Sequence, residues 1–368
     1  MHMTRPRPRR RHPIAATGAA VATLLVAACG TGANSGTPAP GSDTSGGSPL
    51  HRSLHCDARY SPEQLLGHSV PKAKKRFRVT VMEASLAGYF YQAVAYGAEK
   101  AAREAGVDLR IVAGNGFTTP GPQLSQAEQV IQRGTDAIAL MPVDTKGSVP
   151  IVARAKAAHI PLIDFGTEVD SQDVTASVLQ DDYLIGKIGA DQLARVVPSG
   201  GPGIVMAGPA TATWSKKRIA GFMDQLHAKY PKFTVAAAPT GPVDPAAGLK
   251  DFTDATQTHP DIKWVYSVFY YQLLPDSLTG RFHGIPFVTT GYEPTAVKSL
   301  QNGTLAATIP VDNVWMGYMA VVQAVRSLNG ETVPKTTCLP VSQFNKSDIG
   351  TAQANAELYP ASFTASSG

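Results

Sequence analysis

The chain has 368 residues, 43% of them apolar and 17% charged, enough for two domains of ordinary size with real cores. Its formal charge of +5 is carried by Arg5, Arg7, Arg9, Arg10 and Arg11, all ahead of the first acidic residue, Asp43. The remainder has no excess positive charge, which removes the electrostatic basis for nucleic-acid binding.

The arginines precede a short apolar, alanine-rich run, "IAATGAAVATLLVAAC". It is too short for a comfortable membrane span, and the order basic, apolar, small reads as an export signal. Its end, "VAAC" (Val26–Cys29), resembles the lipobox of bacterial lipoproteins, in which the cysteine is lipidated and becomes the first residue of the mature protein. That resemblance implies a signal peptide over 1–28, lipidation at Cys29 and a lipid-anchored, extracytoplasmic location at the cell membrane. The alternative is a chance cysteine behind an ordinary signal. The arginines also raise twin-arginine export, against which Pro13 stands where that motif carries a bulky apolar residue. Residues 29–50, nearly all Gly, Ser, Thr, Pro and Ala, cannot bury a core and read as a flexible tether.

Residues 51–76 form an extension ahead of the first strand, and Cys56 lies in it; the other cysteine, Cys338, follows the last long helix. Outside the cytoplasm two cysteines can persist as a disulfide, and domain termini commonly lie close together, so a Cys56–Cys338 bridge is expected, with two free thiols as the alternative. "HRSLHC" at 51–56 lacks a fourth metal partner, and no metal site or other cofactor is expected.

From Phe77 onward, strand and helix patterns alternate. "RVTVMEA" reads as a strand; Phe90, Val94, Ala98, Ala101 and Ala105 then share one helical stripe that Gly106 ends. "DLRIVAG", "DAIALMP" and "PLIDFG" follow as strands, separated by helical stretches. The pattern restarts at "GIVMAGPA", with Ile219, Phe222, Met223, Leu226 and Tyr230 on one helix face, then "FTVAAA", "WVYSVF", "PFVTTG" and "GTLAATIP" as strands, and a last helix over 312–328. Strand–helix repetition means parallel, doubly wound sheets, and two such units leave a crevice at the carboxyl ends of both.

The turn entering the first helix, "SLAGYFY", has one glycine, Gly88, followed by Tyr89, Phe90 and Tyr91. A phosphate-binding loop would need more glycines there, and three aromatic rings instead form a platform for a neutral ring or flat ligand.

From about Phe77 to Val333 the chain resembles the periplasmic sugar-binding proteins of the ribose-binding type. The stretches that carry this are "SLAGYFYQAVAYGAEKAAREAG", "QRGTDAIALMPVD", "IPLIDFG", "DDYLIGKIGADQLA", "GYEPTAVKSLQNGTLAATI" and "LNGETVP". The resemblance implies the type I fold: an α/β protein of two doubly wound parallel-sheet lobes joined by three hinge crossings, here near Gln180–Asp181, Pro310–Asp312 and Pro334–Thr337. It divides the chain into lobe 1 over 77–180 with 312–333, lobe 2 over 181–311 and a C-terminal segment over 334–368. The implied function is capture of a small ligand, a sugar or related ring compound, between the lobes and its delivery to the permease of an ABC importer. The same fold serves lac-repressor-type regulators, which carry a helix-turn-helix where this chain has its signal.

The resemblance also implies site residues. Phe90 and Tyr91 match the aromatic pair that stacks on a sugar ring, and Asp164 the carboxylate that binds hydroxyls. The family's next position is an arginine, here Phe165. The lobe 2 arginine falls at Lys216, or with a small shift at Arg218. An asparagine position is Phe269, an aspartate position is Glu293, and a glutamine position falls near Val311. Hydroxyl-counting polar groups are thinned in favour of aromatic ones.

Two other readings compete. A ligand-presenting partner of a membrane receptor kinase would have the same sequence features. A glycoside hydrolase would need acids converging in the crevice, as Glu83, Asp164 and Glu293 can, but no serine-elbow, Walker or metal signature accompanies them, and no enzyme activity is expected.

Overall fold

The computed structural model of the protein describes residues 49–116 and 119–367. The expected signal peptide, Cys29 and nearly all of the tether lie outside the described residues.

The first half of the chain builds one sheet. After a short strand β1 (Ala58–Arg59) and a helical turn α1 (Pro62–Leu66) come β2 (Arg78–Glu83), α2 (Tyr89–Ala105), β3 (Asp108–Ala113), α3 (Pro120–Arg133), β4 (Ala137–Leu140), α4 (Val149–Ala157), β5 (Leu162–Phe165) and β6 (Ala176–Leu179). A second sheet follows from α5 (Asp182–Val196), β7 (Gly201–Met206), α6 (Thr213–Lys229), β8 (Phe233–Ala237), α7 (Pro245–Thr258), β9 (Trp264–Ser267), β10 (Phe287–Thr290), α8 (Pro294–Asn302) and β11 (Ala307–Ile309). The chain then makes α9 (Asn313–Leu328), β12 (Thr336–Cys338) and a short α10 (Ala352–Ala356).

The strand order is β1-β12-β6-β5-β4-β2-β3 in the first sheet and β11-β10-β9-β7-β8 in the second. Every ladder within both sheets is parallel. All residues of β4 and β5 are buried, as strands covered by helices on both faces must be.

The two lobes repeat one packing device. In lobe 1, α2 lies on α9 so closely that a Cβ on Gly97 would stand 1.8 Å from the carbonyl oxygen of Val314, and one on Gly317 2.0 Å from that of Val94. In lobe 2, α5 and α6 meet through Gly186 and Gly221 in the same way, with distances of 2.0 and 1.9 Å to the carbonyl oxygens of Arg218 and Tyr183. No side chain fits at these four positions, and the glycines set the depth to which each helix pair packs.

The chain passes from lobe 1 to lobe 2 after β6, where the Asp181 carboxylate accepts the Leu184 N–H at the start of α5. It returns after β11 at Asp312, which holds a left-handed φ of 47°. The third passage lies later than the matched position, because β12 still belongs to the first sheet, paired with β6 and β1. Only beyond Cys338 does the chain leave: Phe344 is buried in the lobe 2 core and exchanges backbone hydrogen bonds with Thr308. A fourth passage then returns the tail to lobe 1, where Ala365 is buried and its N–H donates to Gln92 Oε1 at 2.7 Å.

The N-terminal extension straddles the lobes too. His51 Nδ1 lies 2.8 Å from Asp224 of α6, while β1 extends the first sheet. Cys56 and Cys338 are disulfide-bonded, with Cα atoms 5.7 Å apart, inside the range that such a bridge requires. No helix among the described residues is long and apolar enough to cross a membrane.

Candidate functional site

Parallel strands place their carboxyl ends on one edge of each sheet, and the loops that follow them face the crevice between lobes. Gly88, with φ of 91°, turns the chain after β2 into α2, and so Tyr89, Phe90 and Tyr91 occupy the first turn of the helix. Phe90 packs against the cores of both lobes. Its ring meets Tyr91 edge-on at 5.0 Å and, across the crevice, Phe269 at 6.4 Å. Phe269 in turn meets Trp214 of α6 at 6.2 Å. One aromatic chain therefore runs from lobe 1 into lobe 2.

Tyr89 does not share in it. Its ring stacks on Tyr359 of the C-terminal segment, 4.5 Å apart and 21° from parallel, and its hydroxyl accepts the Tyr359 N–H at 3.3 Å. The tail therefore covers one face of Tyr89, the first of the three rings expected to form a platform. Phe165 is fully buried among Trp315, Met316 and their neighbours, since strand alternation turns it into the lobe 1 core.

Asp164 points to the other side of β5. Its Oδ2 accepts the Val169 N–H at 2.7 Å, closing the loop after the strand. Burial raises its pKa to about 6, with the hydrogen bonds of Ser177 and Val169 opposing. Glu293, just ahead of α8, is half-buried; it accepts from Thr295 Oγ1 at 2.5 Å, and burial raises its pKa.

Lys216 is exposed. The buried cation is Arg218, two residues on. Its Nε donates to Asp182 at 2.9 Å, and its Nη1 donates to the Val268 carbonyl at 2.9 Å and to Thr290 Oγ1 at 2.8 Å. The guanidinium also lies over the Trp214 ring, 4.9 Å from its centroid. Arg218 thereby ties the ends of β9 and β10 to the start of α5 and supports the aromatic chain from behind. Between them, Lys217 reaches across to Glu168 of lobe 1 at 3.3 Å. Around that ion pair a groove opens between lobes, lined by Thr145, Glu168, Gln180, Trp214 and Lys217.

Reasoning from the sequence missed two participants. Tyr359 and Lys217 lie where the quoted motifs carry no cue. Glu83 was named only among convergent acids. It is 1% exposed, and neither carboxylate oxygen has a hydrogen-bond partner among the described residues. Burial raises its pKa well above the ordinary carboxylate value. In turn, burial and then the Glu83 charge push the Tyr91 hydroxyl up to about 12. No group of three or more potential metal ligands occurs among the described residues.

Comparison with known proteins agrees with this geometry. Residues 79–332 match the periplasmic binding protein domain. The ribose import binding protein RbsB of Salmonella typhimurium is 26% identical over 258 residues, covering 69% of this chain and 86% of its own. A sugar ABC transport substrate-binding protein from Bordetella parapertussis superimposes with a TM-score of 0.75 at 24% identity, over 82% of this chain and 100% of that one. A carbohydrate transporter solute-binding protein from Agrobacterium radiobacter, in complex with D-arabinose, gives 0.72 at 21% identity over 78% and 100%. With two parallel-sheet lobes, hinge passages between them and a matching domain over most of its length, the chain belongs to the periplasmic binding protein family.

Proposed function

We propose that this protein is an extracytoplasmic solute-binding lipoprotein that captures a small carbohydrate or related ring compound between its lobes and delivers it to an ABC importer. The observation that carries this reading is the aromatic contact from Phe90 to Phe269 across the crevice, because it lets lobe closure and ring stacking act together. The binding of D-arabinose by one structural neighbour and the ribose import role of a relative support a sugar-like ligand. Contact with that ligand is assigned to Phe90, Tyr91 and Phe269, with the buried Asp164 and the half-buried Glu293 as acceptors. In this reading residues 1–28 are a signal peptide, Cys29 carries lipid, residues 29–50 are the tether, and the partners are the small ligand, the permease and the membrane.

A thermal-shift screen of sugars, polyols, nucleosides and small aromatics tests capture. A ligand at 100 times its dissociation constant stabilises the folded state by about 2.7 kcal/mol. Fractionation of cells producing Cys29→Ala tests the anchor, which is refuted if the variant stays in the membrane fraction.

A further inference from the structure

Glu83 ends β2, opposite Ala113 in the ladder, at the sheet edge that faces the crevice. Strand alternation places its side chain on the side of Val79 and Val81, the side on which α2 packs. Both of its oxygens are buried and lack a partner among the described residues. A buried carboxylate is costly unless a cation or several hydrogen-bond donors meet it. The cations of the crevice are engaged elsewhere: Lys217 pairs with Glu168, Arg218 with Asp182 and Arg59 with Asp181, while Lys216 stands exposed. Among the described residues of the crevice an anionic ligand meets no unengaged buried cation, while the Glu83 carboxyl stands without a partner. The rings of Tyr91, Phe90 and Phe269, which meet one another at the crevice from the helix that follows β2 and from lobe 2, offer faces that attract a cation in a desolvated site.

We propose that the crevice selects a small ligand carrying a protonated amine, such as an amino sugar or amino polyol, whose nitrogen pairs with Glu83. This rests on the reading of the protein as a sugar-type binding protein and narrows its ligand. The amine supplies the partner that Glu83 lacks among the described residues and by its charge holds the carboxyl ionised, and lobe closure removes water from the pair.

The test is calorimetric titration of the protein with matched pairs differing only at nitrogen: D-glucosamine against D-glucose, D-galactosamine against D-galactose, and 2-amino-1,3-propanediol against glycerol. The expected result is at least tenfold tighter binding of an amine member than of its neutral partner, and loss of that preference in Glu83→Gln. The comparison within the unaltered protein stands even if the variant folds poorly. Equal or tighter binding of the neutral member overturns the inference and leaves the sugar-binding reading intact. An amine preference that survives in a folded Glu83→Gln overturns the role of this carboxylate. Binding of neither series overturns the inference together with the reading it rests on.

Discussion

Tyr89 and Tyr359 stack face to face, 4.5 Å between ring centroids, although 270 residues separate them. The tail that brings Tyr359 there has already crossed to lobe 2, where Phe344 and Ala354 are buried, before returning. The C-terminal segment is thus a strap over both lobes, fastened at one end by the disulfide of Cys338 and at the other by Ala365.

Replacing Tyr359 removes the stack and leaves Tyr89 half-covered. Tyr359→Ala is expected to lower stability by about 0.5–1.5 kcal/mol beyond the loss of buried area. Urea unfolding followed by circular dichroism measures it, and an unchanged midpoint would show that the strap holds by its other contacts.

The Cys56–Cys338 bridge joins the segment just ahead of β1 to the end of β12 and closes nearly the whole folded chain into a loop. Its removal in Cys56→Ser is expected to cost about 2–5 kcal/mol. Thermal unfolding of the variant should therefore come well below that of the oxidised parent; coincident transitions contradict the prediction.

Arg218 and Lys216 separate two roles that neighbouring cations can take. Arg218→Ala leaves Asp182 buried without its counter-charge, and a loss of about 3–5 kcal/mol is expected. Lys216→Ala, on an exposed side chain, should stay within about 0.5 kcal/mol of the parent. The reverse order in denaturant titrations would place the structural cation at the wrong residue.

The raised pKa of Asp164 fixes the sign of a pH effect. The folded state holds this proton up to about pH 6, against 3.8 for the ordinary group. Within that window the folded state binds more protons than the unfolded chain, so stability falls as pH rises through it and the loss is complete above it. Asp164→Asn keeps an acceptor for Val169 but does not titrate. Unfolding free energies measured from pH 4 to pH 7 should therefore fall less steeply in the variant; parallel curves would remove the assignment.

The lobes were legible because their signals are local. The buried runs "AIAL" and "LIDF" and the stripe from Phe90 to Ala105 need no distant partner to identify them. The disulfide was legible from cysteine count, an expected export and the closeness of domain termini. What the sequence hid depends on tertiary placement. Strand alternation turned Phe165 into the core although the resemblance implied a site position there, and a two-residue offset put Arg218, not Lys216, into the lobe 2 interior. β12 comprises only three residues, and its strand character comes from pairing with β6 and β1. Nothing around Tyr359 announces that it will cover Tyr89, because that contact exists only once both lobes have folded.

The central claim, capture of a ligand between the lobes, is tested most directly by titrating one ligand from the screen into Phe90→Ala and Phe269→Ala, one variant from each lobe. Each loses a ring at the crevice, and each should bind more weakly by about 0.5–1.5 kcal/mol of aromatic contact, roughly two- to tenfold. Unchanged affinity in both folded variants would contradict binding between the lobes.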